Sequence, residues 1–123
     1  RDSAKVAAHW AALRDVQPLQ GKPGDLWCLA LKPSDAPDVV ARLGGDAMLD
    51  WGGGRLWALL PEGTDARAKI AGIDGHATLM RASAETLSRV AAFPPEPAAL
   101  ASLTKGLRDR FDPRGVLNPG LMG

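Results

Sequence analysis

Asp46-Ala47-Met48-Leu49-Asp50-Trp51-Gly52-Gly53-Gly54-Arg55-Leu56-Trp57-Ala58-Leu59-Leu60 is the stretch that decides the fold. Residues 46–51 alternate, with Ala47, Leu49 and Trp51 on one side and Met48 and Asp50 on the other, as a half-buried strand does. Three glycines follow, where positive φ carries no steric cost, so the chain can reverse. Residues 55–60 return as a second strand, which brings Trp57 near enough to Trp51 for a cross-strand pair. Pro61-Glu62-Gly63 closes this hairpin.

Upstream, residues 26–31 (Leu-Trp-Cys-Leu-Ala-Leu) are apolar on both parities and predict a strand covered on both faces. Ser34 can cap a helix with Val39, Val40 and Leu43 inward, ended by Gly44-Gly45. Downstream, Thr64 can cap a helix through Ile70, and residues 76–81 (His-Ala-Thr-Leu-Met-Arg) form a last strand. The order is strand, helix, strand, strand, helix, strand. That predicts an α+β, ferredoxin-like βαββαβ fold: a four-stranded antiparallel sheet with two helices on one face. Its other face then needs covering by terminal helices or by a missing partner, and exposed Trp or Leu there would mark an interface.

Extra helices flank this unit. Ser3 can cap a first one carrying Val6, Trp10 and Leu13, before a loop punctuated by Pro18, Gly21, Pro23 and Gly24. A short helix near residues 84–91 and a last one over 97–111 follow the sheet, the last with Leu100, Leu103, Leu107 and Phe111 on one stripe. Arg108 and Arg110 suit the negative end of its dipole.

The chain has 123 residues, 46% hydrophobic and 24% charged, enough for one domain with one core. Net charge is +1 with no basic block, which argues against nucleic acid as a partner. No apolar run approaches the roughly 20 residues of a membrane helix. Cys28 is the single cysteine; it sits in an apolar strand, reads as a buried small hydrophobe, and fits a reducing, cytoplasmic compartment. The chain opens at Arg1 without an initiator Met or a signal peptide, as an excised carboxyl-terminal piece would.

Chemistry-bearing patterns are sparse. Two distant histidines and one cysteine make no standard zinc site. There is no Gly-x-Ser-x-Gly elbow, and Gly52-Gly53-Gly54 precedes a strand, so it is neither a dinucleotide fingerprint nor a P-loop. Asp50 and Glu62 read as hairpin solubility rather than paired catalytic carboxylates. His9, on the first helix, has no second ligand in reach. His76 opens the last strand, and strict alternation puts His76, Thr78 and Met80 on one face with Ala77, Leu79 and Arg81 on the other. Residues 112–123 form a rigid tail with two prolines, three glycines and Asn118, carrying Val116, Leu117 and Leu121, so it is built to dock.

Three stretches carry a resemblance: Leu49 to Gly53 with Arg55-Leu56-Trp57, Gly75 to Arg81, and the pattern Phe-Asp-Pro-x-Gly-x-Leu-Asn-Pro-Gly from Phe111 to Gly120. They resemble the carboxyl-terminal part of the FAD-binding (E) subunits of bacterial glycolate oxidases, in the FAD-linked oxidase family of the vanillyl-alcohol-oxidase type. Trp10-Ala11-Ala12-Leu13-Arg14-Asp15 and Leu26-Trp27 are similar in spacing. The resemblance implies a single cap-like domain over residues 1–123, with FAD held mainly by an N-terminal domain outside this chain. It implies a second flavoprotein subunit and an iron–sulfur subunit as partners, and oxidation of a small 2-hydroxyacid, glycolate to glyoxylate. It implies a cytoplasmic complex peripheral to the inner membrane. By position, Asn118 is the first candidate for contact with the flavin domain, His76 for the flavin, and Arg81 for a substrate carboxylate through bidentate pairing. No catalytic or metal-binding residue is assigned. The competing reading is a ferredoxin-like small-ligand-binding or subunit-assembly module without catalysis of its own.

Overall fold

The computed structural model describes residues 2–118. Its elements are α1 (Ser3–Arg14), β1 (Asp25–Leu31), α2 (Ala36–Leu43), β2 (Asp46–Asp50), β3 (Arg55–Leu60), α3 (Ala66–Lys69), β4 (Gly75–Arg81), α4 (Ala84–Arg89) and α5 (Ala98–Phe111). The sheet order is β2-β3-β1-β4, with every neighbouring pair antiparallel. This is the α+β, ferredoxin-like arrangement that the hairpin and its flanks predict.

One face of the sheet makes the main core. Trp27 and Leu29 of β1, Leu56, Ala58 and Leu60 of β3, and Ala77 and Leu79 of β4 pack against Val39 and Leu43 of α2 and Ala66 and Ile70 around α3. Trp27, Leu29, Leu56 and Val39 are fully buried, each contributing on the order of 1.5–3 kcal/mol through burial. Arg67 of α3 ties the layer together. Its guanidinium lies 5.0 Å from the Trp27 ring centroid and donates to the carbonyls of Ala77 (3.0 Å), Ala91 and Ala92 (2.9 Å each). Desolvation is the main influence on it and pushes its pKa down.

A buried polar knot fixes the start of β1. The Asp25 carboxylate accepts from the Gly63 N–H (2.7 Å) and from the Thr86 hydroxyl (3.2 Å). Both Asp25 and Thr86 are buried, so the turn after β3 and the start of α4 are joined to β1 by groups that have no water to replace them.

Local chemistry moves several expected boundaries. Asp2, not Ser3, caps α1 by accepting from the Lys5 N–H. A 3₁₀ turn, Pro33–Asp35, precedes α2, so Ser34 bonds the Asp35 carboxylate instead of capping. Asp65 rather than Thr64 caps α3, which is one short turn; the carboxylate reaches the Arg67 N–H at 2.9 Å. Gly44, at φ +68°, ends α2 by returning its N–H to the Val40 carbonyl.

Trp51 is a correction. It leaves β2 for a 3₁₀ turn with φ +53°, its N–H held by the Asp50 carboxylate at 2.8 Å, and its ring lies 3.6 Å from the Arg55 guanidinium carbon. The Trp51–Trp57 pair therefore does not form: Met48 stands opposite Trp57.

Candidate functional site

The pairing register maps the sheet face turned away from α2 and α3. Taken in the order β4, β1, β3, β2, one row reads His76, Ala30, Arg55, Asp50. The next reads Thr78, Cys28, Trp57, Met48, and the third Arg81, Leu26, Leu59, Asp46. Directly opposed residues on paired strands share a face. An apolar middle is thus framed by charge at both ends.

Arg81 belongs to this face because of a β-bulge. The β1–β4 register shifts between Leu26 and Trp27, so Leu79 pairs with Trp27 but Arg81 with Leu26, leaving Met80 as the extra residue. The expectation that His76 and Arg81 point to opposite faces is overturned, since an inserted residue inverts the parity of everything beyond it. They still do not meet. Two rows separate them, roughly 13 Å at the usual rise along a strand. Arg81 instead donates to the Lys22 carbonyl at 3.3 Å.

Sequence reading missed Arg55. It flanks Ala30 on the side opposite His76, two strands from it, and is braced over the exposed ring of Trp51, whose backbone is left-handed. The available signal was the glycine run itself, which lets the hairpin tip turn Trp51 back onto the first residue of β3. Cys28 sits in the middle row and is half-buried rather than buried; burial raises its thiol pKa, with Arg55 acting weakly the other way.

Cover for this face comes from an unexpected segment. Val16 and Leu19, in the turn after α1, pack with Leu59 against Leu26, Met48 and Trp57. Neither terminal helix does so. α1 buries no residue, and Val6, Trp10 and Leu13 remain exposed. α5 buries none either, and its stripe of Leu100, Leu103, Leu107 and Phe111 faces water.

Asn118 closes the described chain. It lies with φ +45° beside a groove formed with Thr104, Leu107, Arg108, Phe111, Asp112 and Leu117. Pro119, Gly120, Leu121 and Met122, the rest of the docking tail expected from sequence, lie outside the described residues.

Among the described residues no group of three or more His, Cys, Asp and Glu could hold a metal ion, and no helix is long and apolar enough to cross a membrane. His76, Thr78, Arg55 and Arg81 stand on an open face, so the described residues do not by themselves enclose a flavin. What the described residues define is an α+β sheet domain with a core on one face of the sheet and two helices, α1 and α5, whose apolar side chains stay largely exposed.

The chain is 36% identical over 115 residues to the glycolate oxidase subunit GlcE of Escherichia coli (strain K12), which bears out the resemblance to the E subunits read from its sequence. The match takes in 92% of this chain and 30% of that protein, so the chain spans under a third of the relative's length. No family model and no solved structure matches it.

Proposed function

We propose that this chain is the carboxyl-terminal, cap-like domain of the FAD-binding subunit of a glycolate-oxidising complex. The observation that carries the reading is the relationship to GlcE across 92% of the chain. The unpartnered stripes of α1 and α5 support it, because more than a few scattered apolar side chains in water marks a surface meant for protein. In this reading FAD is held mainly by an N-terminal domain outside the chain, and the sheet and helices close over that domain. The parent oxidises a small 2-hydroxyacid, glycolate to glyoxylate, and passes electrons on through a second flavoprotein subunit and an iron–sulfur subunit. It works in the cytoplasm, peripheral to the inner membrane through the complex.

Site roles follow the map of the free face. His76 and Arg55, on the same row, are placed to meet the edge of a flavin or its substrate, and Arg81 is a second carboxylate partner at the far end of β4. Asn118, with both donor and acceptor capacity, contacts the flavin domain. The domain's contribution is covering and orienting, and no covalent step is assigned to its residues. The exposed stripes would also suit an assembly module without a role at the flavin, and one experiment separates the two readings. The full-length subunit, purified with FAD, should be yellow, and His76→Ala with Arg55→Ala should change its flavin spectrum or glycolate KM. A folded but colourless full-length protein refutes the flavoprotein reading. A yellow protein indifferent to both substitutions leaves assembly as the domain's role.

A further inference from the structure

The tail after α5 is structured by a device of its own. The two oxygens of the Asp112 carboxylate accept separately from the Val116 N–H (3.0 Å) and the Leu117 N–H (2.8 Å). The Asp112 carbonyl accepts from the Gly115 N–H at 3.0 Å, and Gly115, at φ +60°, supplies the left-handed residue that this tight return requires. Pro113 fixes the first step of the turn. The carboxylate is stabilised in its charged form by these bonds, Leu117 first and Val116 next, with the Arg108 charge adding to them.

None of this order serves the domain's own core. Val116 is 62% exposed, Leu117 68% and Phe111 80%. A short exposed segment held by one side chain, with two apolar residues turned outward and a non-glycine left-handed residue at its end, is set before anything touches it. Presetting lowers the ordering cost of association, which is its physical use.

We propose that Asp112 is a positioning residue: its paired bonds hold residues 112–118 as a rigid plug, with Val116 and Leu117 as its apolar tip, that seats in the remainder of the parent flavoprotein and presents Asn118 there. This rests on the reading given under Proposed function, and it adds which residue sets the tail and which two side chains enter the contact. The occupant is the parent's own flavin domain rather than a second copy of the chain, because the relative is more than three times as long as the matched region.

The test uses the full-length subunit with FAD, comparing wild type, Asp112→Ala and Asp112→Asn. Alanine removes both acceptors and asparagine keeps one. The loss of such capping bonds costs roughly fivefold in a local equilibrium. FAD retention should therefore fall about fivefold or more in Asp112→Ala and by less in Asp112→Asn. The visible flavin bands of the variants should shift in the same order. Tryptic cleavage after Arg114, within the plug, should be slow in wild type and faster in Asp112→Ala. A wild-type subunit that holds no FAD overturns the functional reading on which this rests. A yellow wild type whose FAD retention, spectrum and Arg114 cleavage match those of Asp112→Ala overturns the plug alone. Faster cleavage with unaltered FAD retention and spectrum also overturns it, because the order would then be purely local.

Discussion

Replacing Leu103, Leu107 and Phe111 together by alanine should have opposite weight in two contexts. In this chain the three are 67%, 59% and 80% exposed. What they already bury amounts to about one side chain's worth, so the triple change costs at most about 3 kcal/mol. Alanine's helix preference offsets part of that. About two side chains' worth of apolar surface is still in water, and covering it would contribute roughly 3–6 kcal/mol, a factor of a hundred or more in association. Urea melts of the 123-residue chain should therefore move less than those of the full-length subunit. The full-length subunit should lose FAD on dialysis and melt several degrees lower. Equal destabilisation in both contexts would show that α5 already has its partner within this domain. No effect in either would show that the stripe faces solvent in the complete protein as well.

Four further outcomes follow from particular contacts. Asp25→Ala should destabilise the domain by about 3 kcal/mol, because the buried Thr86 hydroxyl and the half-buried Gly63 N–H lose their acceptor, and Asp25→Asn by less, read as a lower urea midpoint at unchanged slope. Gly75→Ala, whose new methyl would lie 2.7 Å from the Ala30 carbonyl, should cost about 1–3 kcal/mol, whereas Gly106→Ala in α5, with open space around it, should stabilise by about 0.5–1 kcal/mol in thermal melts. The Asp112 pKa is lowered in the folded tail, so the plug's stability is present above the unfolded aspartate value and lost only as pH falls through the lower folded one; the Val116 and Leu117 amide signals should titrate with a midpoint below the ordinary aspartate range in an NMR series. Cys28, its pKa raised by burial, should react with a disulfide reagent at pH 8 more slowly than a free thiol, and a rate equal to the free thiol would mean the middle row is open.

The sheet was legible because its signals are local and strong. The period-two run from Asp46, the glycine turn and the doubly apolar β1 together leave few topologies, although the pairing register, with Met48 rather than Trp51 opposite Trp57, was not among what they determined. Caps were less legible, since Asp2 and Asp65 competed with adjacent Ser3 and Thr64 and either type can accept from the first turn. The map of the free face was least so. The bulge at Met80 leaves no trace in the pattern, and it decides that Arg81 shares a face with His76. Covering by Val16 and Leu19 was also hidden, because those residues lie in a stretch rich in breakers that read only as a loop.

On the proposed reading, the distribution of charge divides the free surfaces between two kinds of contact. The stripes of α1 and α5 and the tip at Val116 and Leu117 carry side chains that gain from complete exclusion of water, so they suit a permanent joint to the parent's own flavin domain. The sheet face suits something else. Its apolar middle, Cys28, Trp57 and Met48 with Leu26 and Leu59 beside them, is narrow and already partly covered by Val16 and Leu19, with His76, Arg55 and Asp50 on one side and Arg81 and Asp46 at the corners of the other. Asp46 already bonds Lys22 at 2.7 Å and Arg55 is committed to the Trp51 ring, so these charges are held in place rather than swept by solvent. Burying such rows dry would strand charge at a cost that the narrow apolar row cannot offset. The free face therefore fits a wet boundary that small polar molecules cross, as the space above a flavin must be, while the helices and the Asp112 plug make the joint that keeps it there.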